Sequence, residues 1–297
     1  MSYKEKVRVM KKHRQSQASS RDLASLPKPL QRRGLEGLNT RDPGFCGSKI
    51  PFTKMHALGN DFILIENKHL KTKLTPKQVR VLANRRHGIG CDQVIVLQEP
   101  KGVDADIFFY NADGKQALAC GNGTRCVAKH LSKKKGLIQT PTFLSQFWNR
   151  KDKITISLRD PHFAPSMPLP LSLSKGYCID VGNPHVVIFT EDLTSIDLEG
   201  LALSLQPPQG INVEIAQVIS PTTVKVRVWE RGVGITPACG SGACAVGILS
   251  LKLDLIKKTP VFIEMEGGVL EVDWSTGAPL LLTGAAHYCF EGMIDLP

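Results

Sequence analysis

The sequence predicts an α+β protein made of two related halves, each curling a mixed sheet around one buried helix. Three observations predict it. Strand-like segments are many and helical ones few. A cysteine before a Gly-x-Gly turn occurs twice, as Ala119-Cys120-Gly121-Asn122-Gly123 and as Ala238-Cys239-Gly240-Ser241-Gly242. The landmarks upstream of those turns recur in the same order, the signature of an internal repeat.

The order of the landmarks carries the repeat beyond five residues. Asn111 stands nine positions before Cys120, and Glu230 stands nine before Cys239. Further upstream, Gly59-Asn60-Asp61-Phe62-Ile63 is echoed by Gly182-Asn183-Pro184-His185-Val186. Asn60 to Cys120 is 60 positions, and Asn183 to Cys239 is 56.

Taken in order, the folded part opens near Phe52, with a strand at Phe62–Ile65. Thr75 and Pro76 read as a helix N-cap and first helical residue, with Val79, Leu82 and Ala83 on the apolar face. His87–Gln93 is a glycine-rich turn before a strand at Val94–Leu97, and another strand runs to Tyr110. The first cysteine turn then opens a helix that ends in Lys133-Lys134-Lys135-Gly136. Ile154–Leu158 is a strand. Residues 160–175 hold Pro161, Pro165, Pro168 and Pro170 and read as a linker. Strands follow at Tyr177–Val181, Val186–Phe189, Asn212–Ile219 and Val224–Glu230, with a loop at Pro207-Pro208 between the second and third. After the second cysteine turn, Ala243–Leu251 is apolar on nearly every side, so that helix has to be enclosed. Val261–Met265, Val269–Asp273 and Leu280–Thr283 complete the strands.

The turns have a defined chemistry. Glycines bend the backbone tightly and leave its N–H groups bare. The first N–H groups of a helix lack internal partners and sit at the positive end of the dipole, so they bind a carboxylate or phosphate. A cysteine there is biased toward thiolate. Two such turns suggest one anionic substrate held between two thiols. Of the other six cysteines, Cys91, Cys126, Cys178, Cys244 and Cys289 read as small core hydrophobes.

Composition excludes several classes. No apolar run reaches the roughly 18 residues of a membrane span, and no apolar signal core lies near the N-terminus. Eight cysteines without such a signal read as reduced thiols, not a disulfide framework. A metal site on Cys120, Cys126 and His130 is the structural alternative, but zinc spacings are usually tighter. The net charge of +11 is concentrated in residues 1–50, with 12 Lys or Arg against four acids, while the remainder carries 26 against 23. That stretch reads as a disordered extension, either a mis-called gene start or an Arg- and Ser-rich transit segment. No aromatic residue interleaves its charges as a nucleic-acid arm would require.

Six motifs together resemble diaminopimelate epimerase, from about Phe52 to the C-terminus. They are Lys54-Met55-His56-Ala57-Leu58-Gly59-Asn60-Asp61-Phe62, Gly88-Ile89-Gly90-Cys91-Asp92-Gln93, Asn111-Ala112-Asp113-Gly114, the first cysteine turn, Gly182-Asn183-Pro184-His185, and Glu230-Arg231-Gly232 with the second cysteine turn. The resemblance implies two pseudo-symmetric domains, each a wrapped mixed sheet around a central helix. Residues 52–162 with about 284–297 would form the first and 163–283 the second, after an extension at 1–51. It implies interconversion of LL- and meso-2,6-diaminopimelate in lysine and peptidoglycan precursor synthesis. It further implies a cytoplasmic homodimer that uses neither metal nor pyridoxal phosphate.

Carried over residue by residue, Cys120 and Cys239 become the acid/base pair, with Cys239 the base in the LL-to-meso direction. Gly121, Asn122, Gly240 and Ser241 would hold the reacting carboxylate. Asn60, Gln93, Asn111, Asn183, Asn212, Glu230 and Arg231 match further substrate contacts, Arg231 facing the distal carboxylate as a planar fork. His185 and Glu230 match positions that tune the thiols. Three departures stand out: Ile235 replaces a frequent acidic residue, Phe290 replaces a dimer-contact tyrosine, and region 137–176 is short and proline-rich. A proline racemase-like enzyme and a non-catalytic carboxylate-binding protein are the rival readings.

Overall fold

The computed structural model describes residues 49–70, 72–167, 175–206 and 210–296. The expected basic extension and the Pro207-Pro208 loop lie largely or wholly outside those residues. β1 (Ile50–Ala57) starts two residues before Phe52, and Ile50 pairs with Ile294 of β18 (His287–Ile294).

The described strands join into one mixed sheet laid out as a duplicated pairing pattern. In the first copy β2 (Asn60–Glu66) runs parallel to β3 (Gln93–Gln98), and β3 runs antiparallel to β4 (Ala105–Asn111). β4 then pairs with the short β5 (Gln116–Ala117) and lies parallel to β6 (Lys135–Gln139). A meander through β7 (Leu144–Arg150) and β8 (Lys153–Leu158) closes it. After β9 (His162–Phe163) and β10 (Gly176–Asp180), the second copy repeats each step. β11 (Pro184–Phe189) is parallel to β12 (Asn212–Ser220), and β12 is antiparallel to β13 (Thr223–Glu230). β13 pairs with β14 (Gly234–Thr236) and lies parallel to β15 (Val261–Met265). β16 (Gly268–Asp273) and β17 (Leu280–Gly284) finish the meander.

The copies are joined where β8 and β17 run antiparallel, with Ile156 opposite Leu282. The linker expected at 160–175 contains β9, which pairs with β10. Among its described residues the shortened region holds the end of β6 and all of β7, β8 and β9.

Four α-helices are described, besides a 3-10 turn at Asn67–His69. α1 (Pro76–Ala83) starts as the sequence predicts: the Thr75 hydroxyl accepts from Gln78 N–H at 3.3 Å, and the Gln78 side chain accepts from Thr75 N–H at 3.0 Å. This reciprocal cap satisfies two otherwise unpaired donors. Val79, Leu82 and Ala83 pack on Ile63, Ile65, Val94 and Val96 of the sheet. α3 (Leu198–Ser204) covers the matching face of the second copy, over Val186, Ile188, Val213 and Ile215. It is missing from the sequence reading because seven residues with a central Gly200 carry little periodic signal.

α2 (Gly121–His130) and α4 (Gly240–Lys252) are the enclosed helices. Ala243, Cys244, Ala245, Val246 and Ile248 are fully buried, as the apolar pattern required. Gly247 packs so tightly that a Cβ there would lie 2.8 Å from Val272. Cys91, Cys126 and Cys244 are core residues, whereas Cys178 is half-buried and Cys289 is exposed on β18. Among the described residues β18 pairs with β1 alone, so its outward side chains have no covering layer.

Candidate active site

Strand direction gathers the polar candidates at one end of each sheet copy. β2 begins at Asn60, β3 begins at Gln93 and β4 ends at Asn111. Gln93 lies opposite Asn111 in register, and its Nε2 donates to Asn111 Oδ1 at 2.8 Å. In the second copy Asn183 precedes β11, Asn212 begins β12 and Glu230 ends β13. Asn212 Nδ2 donates to the Pro184 carbonyl at 2.8 Å, and its Oδ1 accepts from Arg231 N–H at 3.0 Å. The Arg231 stem lies over Gly210, where φ is +72° and a Cβ would sit 2.4 Å from Arg231 Cδ. Arg231 as a residue is exposed.

The two cysteines cap the two enclosed helices. Cys120 Sγ accepts from Gly123 N–H at 3.3 Å, and Cys239 Sγ accepts from Gly242 N–H at 3.4 Å. Ser241 Oγ lies 3.4 Å from Cys239 Sγ. The helix starts meet each other: a Cβ on Gly240 would be 3.2 Å from Asn122 Oδ1 and 3.7 Å from Asn122 N. A Cβ on either Gly121 or Gly240 would lie 3.3 Å from the same methyl group of Leu282. The pairing of β8 with β17 therefore brings two positive helix ends, each capped by a cysteine, close together.

Asn60 is fixed from below. Its Nδ2 donates to Asp92 Oδ2 at 2.8 Å, and its Oδ1 accepts from Asn122 Nδ2 at 3.2 Å. Asp92 and Asp61 exchange side chain-to-backbone hydrogen bonds at 2.9 and 3.0 Å. Arg85 grips Asp61 with two donors at 2.7 and 2.9 Å, and buried Lys54 reaches it at 2.6 Å. Burial opposes ionisation of Asp61, but the bonds from Arg85 and Lys54 hold its carboxyl well below the usual carboxylate range. This charged lattice explains why the first motif and the Gly-Cys-Asp-Gln motif occur together.

The thiols behave differently from the sequence expectation. Burial is the largest influence and pushes Cys120 up to about 12, the Gly123 N–H acting against it and Glu230 with it. Cys239 is also raised well above its ordinary range, by burial, then by Glu230 and Glu214. The helix-end bias toward thiolate is real but smaller than desolvation here. Glu230 is itself raised by burial, despite bonds from Thr236 Oγ1 at 2.5 Å and from the Cys239 thiol.

Glu214 is a residue that the sequence reading missed. It is fully buried, and its Oε1 meets His185 Nδ1 at 2.7 Å. His185 Nε2 lies 3.1 Å from Asn183 Oδ1. Glu214 also lies directly beneath α4, since a Cβ on Gly242 would be 2.6 Å from its Oε1. G242A should therefore lower stability by roughly 1–3 kcal/mol through overpacking. Thermal denaturation checks this; an unchanged melting temperature would mean that the Glu214 carboxyl is free to move aside. The available signal was a charged residue inside the otherwise apolar Val213–Ala216.

Ile235 is half exposed on β14 and lines a groove of about 400 Å³ with Lys225, Arg227, Pro237, Glu264 and Glu266. The thiols are not part of that groove. Phe290 is exposed on β18 and meets Phe52 edge-on at 6.0 Å.

The diaminopimelate epimerase family model matches residues 52–146 and 177–289. Diaminopimelate epimerase of Sphingopyxis alaskensis is 36% identical over 261 residues, covering 82% of this chain and 97% of that protein. The Trichodesmium erythraeum enzyme of the same name is 38% identical over 278 residues, covering 82% and 98%. A Bacillus anthracis phenazine biosynthesis protein of the PhzF family superposes with a TM-score of 0.63 at 14% identity, covering 84% of this chain and 99% of its own. A hydroxyproline epimerase from Agrobacterium vitis does so with a TM-score of 0.61 at 13% identity, covering 84% and 93%. The last two share the fold. On the family match and these relatives, the chain belongs to the diaminopimelate epimerase family.

Proposed function

We propose that this protein interconverts LL- and meso-2,6-diaminopimelate by two-base proton transfer between Cys120 and Cys239. The observation that carries the reading is the meeting of two cysteine-capped helix starts across Leu282, with Asn122 against Gly240. Inverting a stereocentre without a cofactor needs a proton taken from one face and another returned on the opposite face. In the LL-to-meso direction Cys239 thiolate takes the α-proton and becomes a thiol. Cys120 thiol gives its proton to the other face and becomes the thiolate.

The charge that develops spreads onto the α-carboxylate. N–H groups at Gly121-Asn122 and Gly240-Ser241 receive it, and each such donor is typically worth about 3 kcal/mol. Raised thiol pKa values serve the step, because the matching thiolate is a stronger base than free cysteine. The α-ammonium of the substrate supplies the positive charge that makes a buried thiolate accessible. Asn60, Gln93, Asn111, Asn183, Asn212 and Glu230 orient the amino acid, and Arg231 receives the distal carboxylate. His185 and Glu230 tune the thiols.

The repeated pairing pattern supports two domains, at 52–162 with about 284–297 and at 163–283. Exposed Tyr288, Phe290 and Met293 on β18 fit a contact with a second copy of the chain. A biosynthetic role of this kind supports a cytoplasmic homodimer. Among the described residues no helix is long and apolar enough to cross a membrane.

Incubation in deuterium oxide tests the activity. LL-diaminopimelate should gain one α-deuterium as meso product forms, after dialysis against chelator and treatment with a carbonyl reagent. Exchange with proline or hydroxyproline but not with diaminopimelate would favour the racemase-like rival. Binding without exchange would favour a carboxylate-binding protein.

A further inference from the structure

Arg125 is fully buried, yet among the described residues no acidic side chain pairs with it. Its Nη2 donates to Asn122 Oδ1 at 2.8 Å, while its Nε and Nη1 have no hydrogen-bond partner. Gly284 makes room for it: a Cβ there would lie 3.2 Å from Nε. A buried cation without a counter-ion costs several kcal/mol. Packing does not require one, because the position five residues after the second cysteine is Cys244, also fully buried. The charge therefore belongs to one half only.

Two features show what it faces. Arg125 holds Asn122 Oδ1, leaving Asn122 Nδ2 to donate to Asn60 Oδ1 at 3.2 Å. A guanidinium has no acceptor, so the amide cannot flip without losing both bonds. The titratable groups around Arg125 are Cys120, Cys126 and Cys244, and Cys120 also faces Glu230 at the end of β13.

We propose that Arg125 is a positioning residue: it locks the Asn122–Asn60 pair at the helix junction, and it holds a buried positive charge that favours the thiolate of Cys120 over that of Cys239. The proposal rests on the two-thiol reading above. It makes the halves electrostatically unequal, a cation standing behind Cys120 and the Glu214 carboxyl beneath the start of α4, beside Cys239.

Iodoacetamide labelling of the full chain at pH 8, followed by peptide mapping, tests the asymmetry. R125M should lower the Cys120 labelling rate, relative to that of Cys239, roughly tenfold, the effect of raising a thiol pKa by one unit. R125K keeps the charge and should leave that ratio within about twofold. It should also keep KM while lowering kcat, because Lys lacks the planar fork that orients Asn122. An unchanged ratio in folded R125M, or a tenfold change in R125K, would overturn the proposal. Where R125M does not fold, the R125K ratio alone decides. Labelling uses no diaminopimelate, so this test can fail while α-proton exchange succeeds, and the reverse.

Discussion

Serine at either Cys120 or Cys239 is expected to lower epimerisation by at least 10²–10⁴-fold, roughly what a positioned acid or base contributes. Oxygen replaces sulfur with little change in shape, so the folded state survives. A buried alcohol, however, does not ionise in a range that a protein can use. The thiols are already pushed upward, Cys120 to about 12 and Cys239 beyond its ordinary range, and a hydroxyl in either place lies far higher still. The single variants should remain half-active in a defined sense. C120S retains Cys239 and should still eliminate a leaving group from the L-configured β-substituted analogue. C239S should do so only from the D-configured one, because elimination needs one proton removed and none returned. The measurement is pyruvoyl-type product formed from each enantiomer, beside α-deuterium exchange. Reversed handedness would reassign the base, and full epimerisation by either variant would end the two-thiol reading.

Much of this site was legible in the residues because it is built from local grammar. A cysteine followed by Gly-x-Gly can cap a helix only in one way, and both turns do so. Thr75-Pro76 with Gln78 is equally local. What was not legible depends on neighbours distant in sequence. Arg125 on a helix reads as a solvated charge until the Gly284 end of β17 closes over it. Glu214 in a strand reads as an outward residue until α4 lands on it. β1 and β18 lack alternation, the first because it is buried on both faces and the second because it is exposed along His287–Glu291. The thiolate bias expected from the helix ends was also a local inference. Burial, a tertiary quantity, reverses its net sign.

The His185–Glu214 pair admits the second large prediction, since the repeat supplies its own control. Parallel register sets Phe62 opposite Gln93 in the first copy and His185 opposite Asn212 in the second. Two residues on, Ile95 corresponds to Glu214, and beneath Gly123 the neighbours are Ile95, Phe109 and Phe62. The same backbone thus accepts an apolar pair under one helix and a polar pair under the other. H185F alone leaves the Glu214 carboxyl buried without its His185 bond, and E214I alone strips Nδ1 of its partner. Each single change should cost about 3 kcal/mol or more, the usual result of breaking a buried pair. The double variant H185F/E214I copies the first half and should recover most of that loss, giving a coupling energy of roughly 1–3 kcal/mol. Its activity should not recover. Asn183 loses its contact with His185, and Cys239 loses the anion that helps to raise it. Its thiol should consequently ionise at lower pH and label faster with iodoacetamide, while Cys120 labels as before. Denaturant unfolding of the four proteins measures the coupling, and peptide mapping measures the labelling. Additive stability losses, or equal acceleration of both thiols, would show that the pair is a packing element with no specific hold on Cys239.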